Sequence, residues 1–173
     1  MKQIRKGAFE TNSSSMHSLV IENDKSICKL EKSDLKLNKE GEIKVQLGEY
    51  GCFLAFLKTQ QEKLNYLVTL IAGSKTIISR EDLEDDPEFE YLKKQVLKYT
   101  NAANITVYGF EEGDYYIDHQ SQQSLSDFLS TYNTQTVLTN DCYWETRKES
   151  ELIGPLDVIF NSSIVIEIAN DNF

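Results

Sequence analysis

The stretch Thr59-Gln60-Gln61-Glu62-Lys63-Leu64-Asn65-Tyr66-Leu67-Val68-Thr69-Leu70-Ile71-Ala72-Gly73 carries helix signals at both ends. Thr59 and Glu62 form a T-x-x-E capping box, in which the two side chains satisfy each other's orphan backbone N–H groups. Leu64, Leu67, Val68 and Ile71 recur at helical spacing and make one apolar stripe. Gly73 is the expected left-handed stop. Upstream, residues 42–47 alternate as a half-buried strand: Ile43, Val45 and Leu47 face one way, Glu42, Lys44 and Gln46 the other. Gly48-Glu49-Tyr50-Gly51 breaks that alternation, and a further strand is expected over 18–22.

Downstream, a second helix is predicted over 86–99. Asp86 can cap it and Pro87 suits the first helical position. Glu88 and Glu90 lie at the positive end of its dipole, and Lys93, Lys94 and Lys98 toward the negative end. Phe89, Leu92, Val96 and Tyr99 form its inward face. The acidic run before it, Glu81, Asp82, Glu84, Asp85 and Asp86, reads as a solvated loop and helix start. It lacks the fixed ligand spacing and turn glycine of a calcium loop. Residues 105–109 and 115–118 read as a hairpin around Glu111-Glu112-Gly113. Ser124 opens a third helix, with Asp127 three residues on and Leu125, Phe128, Leu129 and Tyr132 as its stripe. Strands are expected over 136–139, 156–160 and 164–168, the last two flanking a turn at Asn161-Ser162-Ser163. This order of elements, with no regular βα alternation, predicts one α+β domain over 1–173: a single mixed or mainly antiparallel sheet with about three helices packed on it.

The chain has 173 residues, 18 Lys and Arg against 28 Asp and Glu, and a net charge of −10. Such a surface repels a phosphate backbone at long range, so general coating of nucleic acid is not expected, although a local basic patch could bind. Solubility is the plain consequence of the charge. A sharper one is docking of an acidic face on the basic groove of a nucleic-acid-handling protein. Cys28, Cys52 and Cys142 are widely spaced, with no C-x-x-C pair, which suits a reducing cytoplasm. The basic start, Met1 to Lys6, leads into no signal-peptide core, and the longest apolar run, 52–57, is too short to span a bilayer. No Walker loop or G-x-G-x-x-G is present, so no cofactor is expected.

The chemistry-bearing residues concentrate in Arg5-Lys6-Gly7-Ala8-Phe9-Glu10-Thr11-Asn12-Ser13-Ser14-Ser15-Met16-His17-Ser18. Such a stretch can close its own tight loop. It can equally cradle an anion, with Arg5, Asn12, Ser13 and Ser15 as binding groups. The second histidine stands in Asp118-His119-Gln120-Ser121. If the two stretches meet, Ser14 or a neighbouring serine is the nucleophile, His17 or His119 the base, and Asp118 or Glu10 the orienting carboxylate. No G-x-S-x-G elbow supports this. His17, His119, Asp118, Glu10 and Glu49 could also supply metal ligands, but no H-x-x-x-H, H-E-x-x-H or H-x-D spacing selects them, and no metal is expected.

The segment 5–18 resembles the R-x-G-x-F-E-T-N-S-S-S-x-H-S start of a family of proteins without an assigned activity, from phages, prophages and Firmicutes mobile elements. Gly48-Glu49-Tyr50-Gly51, Lys63-Leu64-Asn65-Tyr66-Leu67 and Tyr116-Ile117-Asp118-His119-Gln120-Ser121 are also similar to that family. Ala8 stands where the family often has valine. The resemblance implies a genomic setting in which small acidic proteins often inhibit host defence, anti-CRISPR proteins among them. The first expectation is therefore a phage accessory protein that blocks a host nuclease complex in the cytoplasm, off the membrane. Its docking residues would be Glu81, Asp82, Glu84, Asp85, Asp86, Glu111, Glu112 and Asp114. The alternative is a small enzyme for a phosphate- or acyl-containing substrate, built on residues 5–18 and 118–121. A third is that the polar segment only closes its own backbone, with function on an unmarked surface.

Overall fold

The structure is a computed structural model and describes residues 15–21, 30–51, 54–75, 77–111, 115–118, 122–133, 137–138, 144–145 and 153–170. Its organising element is α1 (Gln60–Ser74). The capping box forms as expected: Thr59 accepts from Glu62 N, and Glu62 accepts from Thr59 N at 2.9 Å. Leu64, Leu67, Val68 and Ile71 are fully buried. Gly73 does not stop the helix, which runs on to Ser74 and ends at Lys75. The glycine is needed for space instead. A Cβ there would stand 3.2 Å from Ile117 Cβ, so the helix and the strand carrying Ile117 approach closely because Gly73 has no side chain.

The α+β class holds, with nine strands and five helices among the described residues. The strands do not form one sheet. A three-stranded antiparallel sheet places β9 (Ile164–Asn170) between β1 (Ser15–Ile21) and β4 (Ala55–Leu57). Separately, β2 (Glu42–Gln46) runs parallel to β5 (Asn104–Tyr108). The next residues of the same two segments, β3 (Glu49–Tyr50) and β6 (Tyr116–Ile117), are parallel again. The hairpin expected over 105–118 is thereby corrected. Its two arms pair with 42–50, not with each other, because Leu47 N donates to Tyr108 O and Tyr116 N to Gly48 O. A two-stranded piece joins β7 (Val137–Leu138) to β8 (Trp144–Glu145).

Two further expectations change. The acidic run contains a short helix, α2 (Arg80–Glu84), capped by Ser79 and anchored by fully buried Leu83. The apolar run 156–160 is not a strand but part of α5 (Pro155–Phe160). Pro155 starts that helix, and the Asp157 carboxylate accepts from Gly154 N at 2.8 Å. A short run buried all round has no period by which to choose helix or strand. The other helices, α3 (Pro87–Thr100) and α4 (Leu125–Asn133), lie where predicted. Glu88 of α3 accepts from Ser126 N of α4 at 2.9 Å, so one carboxylate ties the start of one helix to the other.

The free edge of β2 is closed by side chains of α1. Gln61 Nε2 donates to Lys44 O at 2.9 Å, Gln46 N donates to Asn65 Oδ1 at 3.3 Å, and Gly48 N donates to Thr69 Oγ1 at 3.1 Å. The spacing explains the fit. Four helical residues rise about 6.0 Å and two strand residues about 6.7 Å, so i, i+4, i+8 on the helix meets every second residue of the strand. An exposed row of strand amides would otherwise invite pairing with another chain. Elsewhere on α1, fully buried Lys63 donates to Asn161 O at 2.8 Å and Ile164 O at 3.1 Å, fixing the α5–β9 junction. Burial pushes its ammonium down to about 8, against the charges of Glu31, Asp34 and Glu62.

Thr69 is buried, so Thr69→Val keeps its shape but strips Gly48 N of its acceptor. The expected cost is about 1–3 kcal/mol in denaturant unfolding, with Thr69→Ser close to the parent. Equal stability of the valine and serine variants would show that the Thr69 bond does not hold the strand edge.

Candidate functional site

Tyr66 of α1 lies at the centre of a buried polar cluster. It is fully buried, and its hydroxyl shares a hydrogen bond of 2.8 Å with Nδ1 of His17 on β1. The rings stand 5.6 Å apart. Tyr50 of β3 meets Tyr66 edge-on at 5.1 Å, and Phe128 of α4 packs at 5.6 Å. Asp118, directly after β6, closes the cluster: its charge acts on His17, and the two residues are only 7% and 8% exposed.

Local sequence explains each placement. His17 shares one face of β1 with buried Leu19 and sits opposite Ile168 of β9. Asp118 N donates to Tyr50 O at 3.0 Å, extending the β3–β6 pairing by one residue. Gly51 makes room for it, since a Cβ there would stand 2.9 Å from Tyr116 Cε1 and 3.1 Å from Asp118 Cβ.

The electrostatics keep the cluster uncharged apart from the carboxylate. Burial pushes the His17 imidazole down to about 4, and Asp118 only partly opposes it. The ring is therefore neutral at pH 7. Burial raises the Tyr66 phenol well above its ordinary range, with Tyr50 adding to the effect. Burial, then the charge of Glu62, raises Tyr50 to about 12. A neutral imidazole beside a carboxylate and a protonated phenol is a proton acceptor held in a fixed orientation.

The sequence candidates divide sharply. His17 and Asp118 are brought together. Ser15 has its backbone in β1. Arg5, Glu10, Asn12, Ser13, Ser14 and His119 lie outside the described residues, as do Glu112 and Asp114. Sequence reasoning missed Tyr66 and Tyr50, to which it assigns no role. The cluster draws one member, His17, Tyr50, Tyr66 or Asp118, from each of four separate stretches of the chain.

The proposed docking acids are partly committed within the fold. Asp86 is buried, caps α3 through Glu88 N and Phe89 N, and pairs with Lys75 at 2.5 Å. Glu84 pairs with Lys93 at 2.5 Å. Glu81, Asp82, Asp85 and Glu111 are exposed. Among the described residues, no group of three His, Cys, Asp or Glu could hold a metal ion, and no helix is long and apolar enough to cross a membrane. No family model, curated protein or solved structure matches this chain.

The shifted imidazole sets an acid sensitivity. Between pH 6.5 and about 4 the unfolded chain binds a proton at His17 that the folded chain does not. Stability therefore falls as pH falls through that window, by up to about 3 kcal/mol. His17→Gln removes this titration, and its unfolding free energy should vary less with pH between 6.5 and 4 than that of the parent. Parallel pH profiles for the two proteins would contradict the assignment.

Proposed function

We propose that the chain is a small enzyme acting on a phosphate- or acyl-containing substrate, with an active site drawn from the stretches 5–18 and 118–121. The observation that supports this is buried His17, hydrogen-bonded to Tyr66 and electrostatically coupled to buried Asp118, about a hundred residues away in sequence. Neutral His17 would take a proton from water or a hydroxyl nucleophile, and the Asp118 carboxylate would stabilise the imidazolium formed. The remaining members of the proposed site, Arg5, Glu10, Asn12, Ser13, Ser14, Ser15 and His119, belong to the same two stretches of sequence. Arg5 would bind the anionic group and Ser14 would serve as the nucleophile.

A panel of phosphomonoesters, phosphodiesters and acyl esters tests the proposal. The expected result is turnover that falls at least about a hundredfold in His17→Gln and Asp118→Asn, both still folded. The acid limb of kcat/KM should lie near pH 4, where His17 protonates. Turnover insensitive to both substitutions would exclude this site.

A second role has its own support: that of a phage or prophage accessory protein that binds and inhibits a host nucleic-acid-handling defence machine, as anti-CRISPR proteins do. Glu81 and Asp82 of α2, and Asp85 just after it, are exposed; so are Ile78 before α2 (72% exposed) and Tyr91 of α3 (51% exposed). Apolar anchors with an acidic rim suit a basic protein groove. The protein should then inhibit DNA cleavage by a purified CRISPR nuclease complex at about 0.05 M salt and far less at about 0.5 M. Inhibition should vanish in the Glu81→Lys, Asp82→Lys, Asp85→Lys triple variant. Undiminished inhibition by that variant would remove the acidic surface from the account.

A further inference from the structure

The exposed face of the β2–β5 pair carries a second feature, built from other residues than the His17 cluster. Glu42, Lys44 and Gln46 of β2 point the same way as Thr106 and Tyr108 of β5, opposite to buried Ile43, Val45, Ile105 and Val107. Between this face, α1 and residues 36–38 lies an open groove of about 480 Å³. Lys36, Lys44, Gln46, Gln61, Asn65 and Tyr108 line it.

Three properties of the lining point to one ligand chemistry. The first is charge. Lys36 and Lys44 are exposed, and neither forms an ion pair among the described residues, whereas Lys75 and Lys93 are both paired with carboxylates. The carboxylate of Glu42, on this face, feels the charge of Lys44, but its oxygen accepts from Asn38 Nδ2 at 3.1 Å and Thr106 Oγ1 at 2.9 Å. The second is an aromatic plate. Tyr108 is 39% exposed, with Lys44 Nζ 5.7 Å and the Arg80 guanidinium 5.6 Å from its ring centre. The third is hydrogen bonding. Asn65 Oδ1 is committed to Gln46 N and Gln61 Nε2, which orients its Nδ2 donor away from both.

Cations of this kind bind phosphate as point charges, an exposed aromatic stacks a base, and side-chain amides read a base edge. The volume lies within the range of small-molecule sites. The chain's overall charge of −10 does not forbid this, because repulsion from acids more than about 10 Å away is largely screened at 0.1 M salt while the two lysines act at contact. We propose that this groove binds a nucleoside monophosphate, with the phosphate at Lys36 and Lys44 and the base against Tyr108. The proposal is independent of the His17 site.

Titration of the full chain with AMP, GMP, CMP and UMP, followed by backbone amide NMR shifts, tests it. Inorganic phosphate, the free nucleosides and a short single-stranded oligonucleotide serve as comparison arms. At least one mononucleotide should bind below about 1 mM, at least about tenfold tighter than phosphate or its own nucleoside, with shifts at Lys44, Gln46 and Tyr108. Lys36→Gln with Lys44→Gln should weaken it about tenfold or more, and Tyr108→Ala should weaken the nucleotide but not phosphate. Four outcomes would overturn the proposal: no saturable binding up to about 10 mM, equal affinity for phosphate, tighter binding of the oligonucleotide than of every mononucleotide, or shifts confined to residues outside the groove. Folding of each variant is verified by its amide spectrum, and full retention of affinity in the folded double variant would also overturn it.

Discussion

One helix lying against the free edge of one strand sets the geometry of this protein. The near match between four residues of helix and two of strand lets Gln61, Asn65 and Thr69 bond in succession to Lys44, Gln46 and Gly48. Once α1 is held in that register, its other faces have no freedom. Tyr66 must meet His17 of the antiparallel sheet, and Lys63 must reach the carbonyls where α5 passes into β9. The helix thus joins the parallel and antiparallel strands, which share no ladder among the described residues.

The same constraint builds the candidate site. A buried imidazole and a buried carboxylate are costly to assemble, and a structure tolerates them when each has partners. Here Tyr66 meets the ring, and the β3–β6 pairing delivers Asp118 beside it. Two glycines allow the approach: Gly73 admits Ile117 against α1, and Gly51 admits Asp118. Four separate stretches of the chain thus each place one side chain in this cluster. On the far face of β2, the groove beside Tyr108 uses two of the same helix residues, Gln61 and Asn65, so edge closure and groove lining come from one set of amides.

Much of this was legible in the sequence where a local rule decides the outcome. The Thr59–Glu62 capping box, the Asp86–Pro87 helix start and the alternation at 42–47 depend on neighbours in the chain, and all three hold. The failures were non-local. Residues 105–108 and 116–117 look like hairpin arms until the parallel partner, sixty residues upstream, is known. Residues 156–160 are apolar all round, which leaves no period to separate helix from strand. Gly73 was given a backbone role when packing required its lack of a side chain. The meeting of His17 with Asp118 could be posed from sequence, but Tyr66, the residue hydrogen-bonded to His17, lies off the apolar stripe of its helix and carries no local signal of its partner.

The claim that α1 side chains close the edge of β2 is tested most directly by native-state hydrogen exchange at two amides. Gln46 N–H and Gly48 N–H should exchange only through global unfolding, as slowly as the amides inside the β2–β5 ladder. Exchange at the rate of an open strand edge, with the ladder amides still protected, would contradict the account.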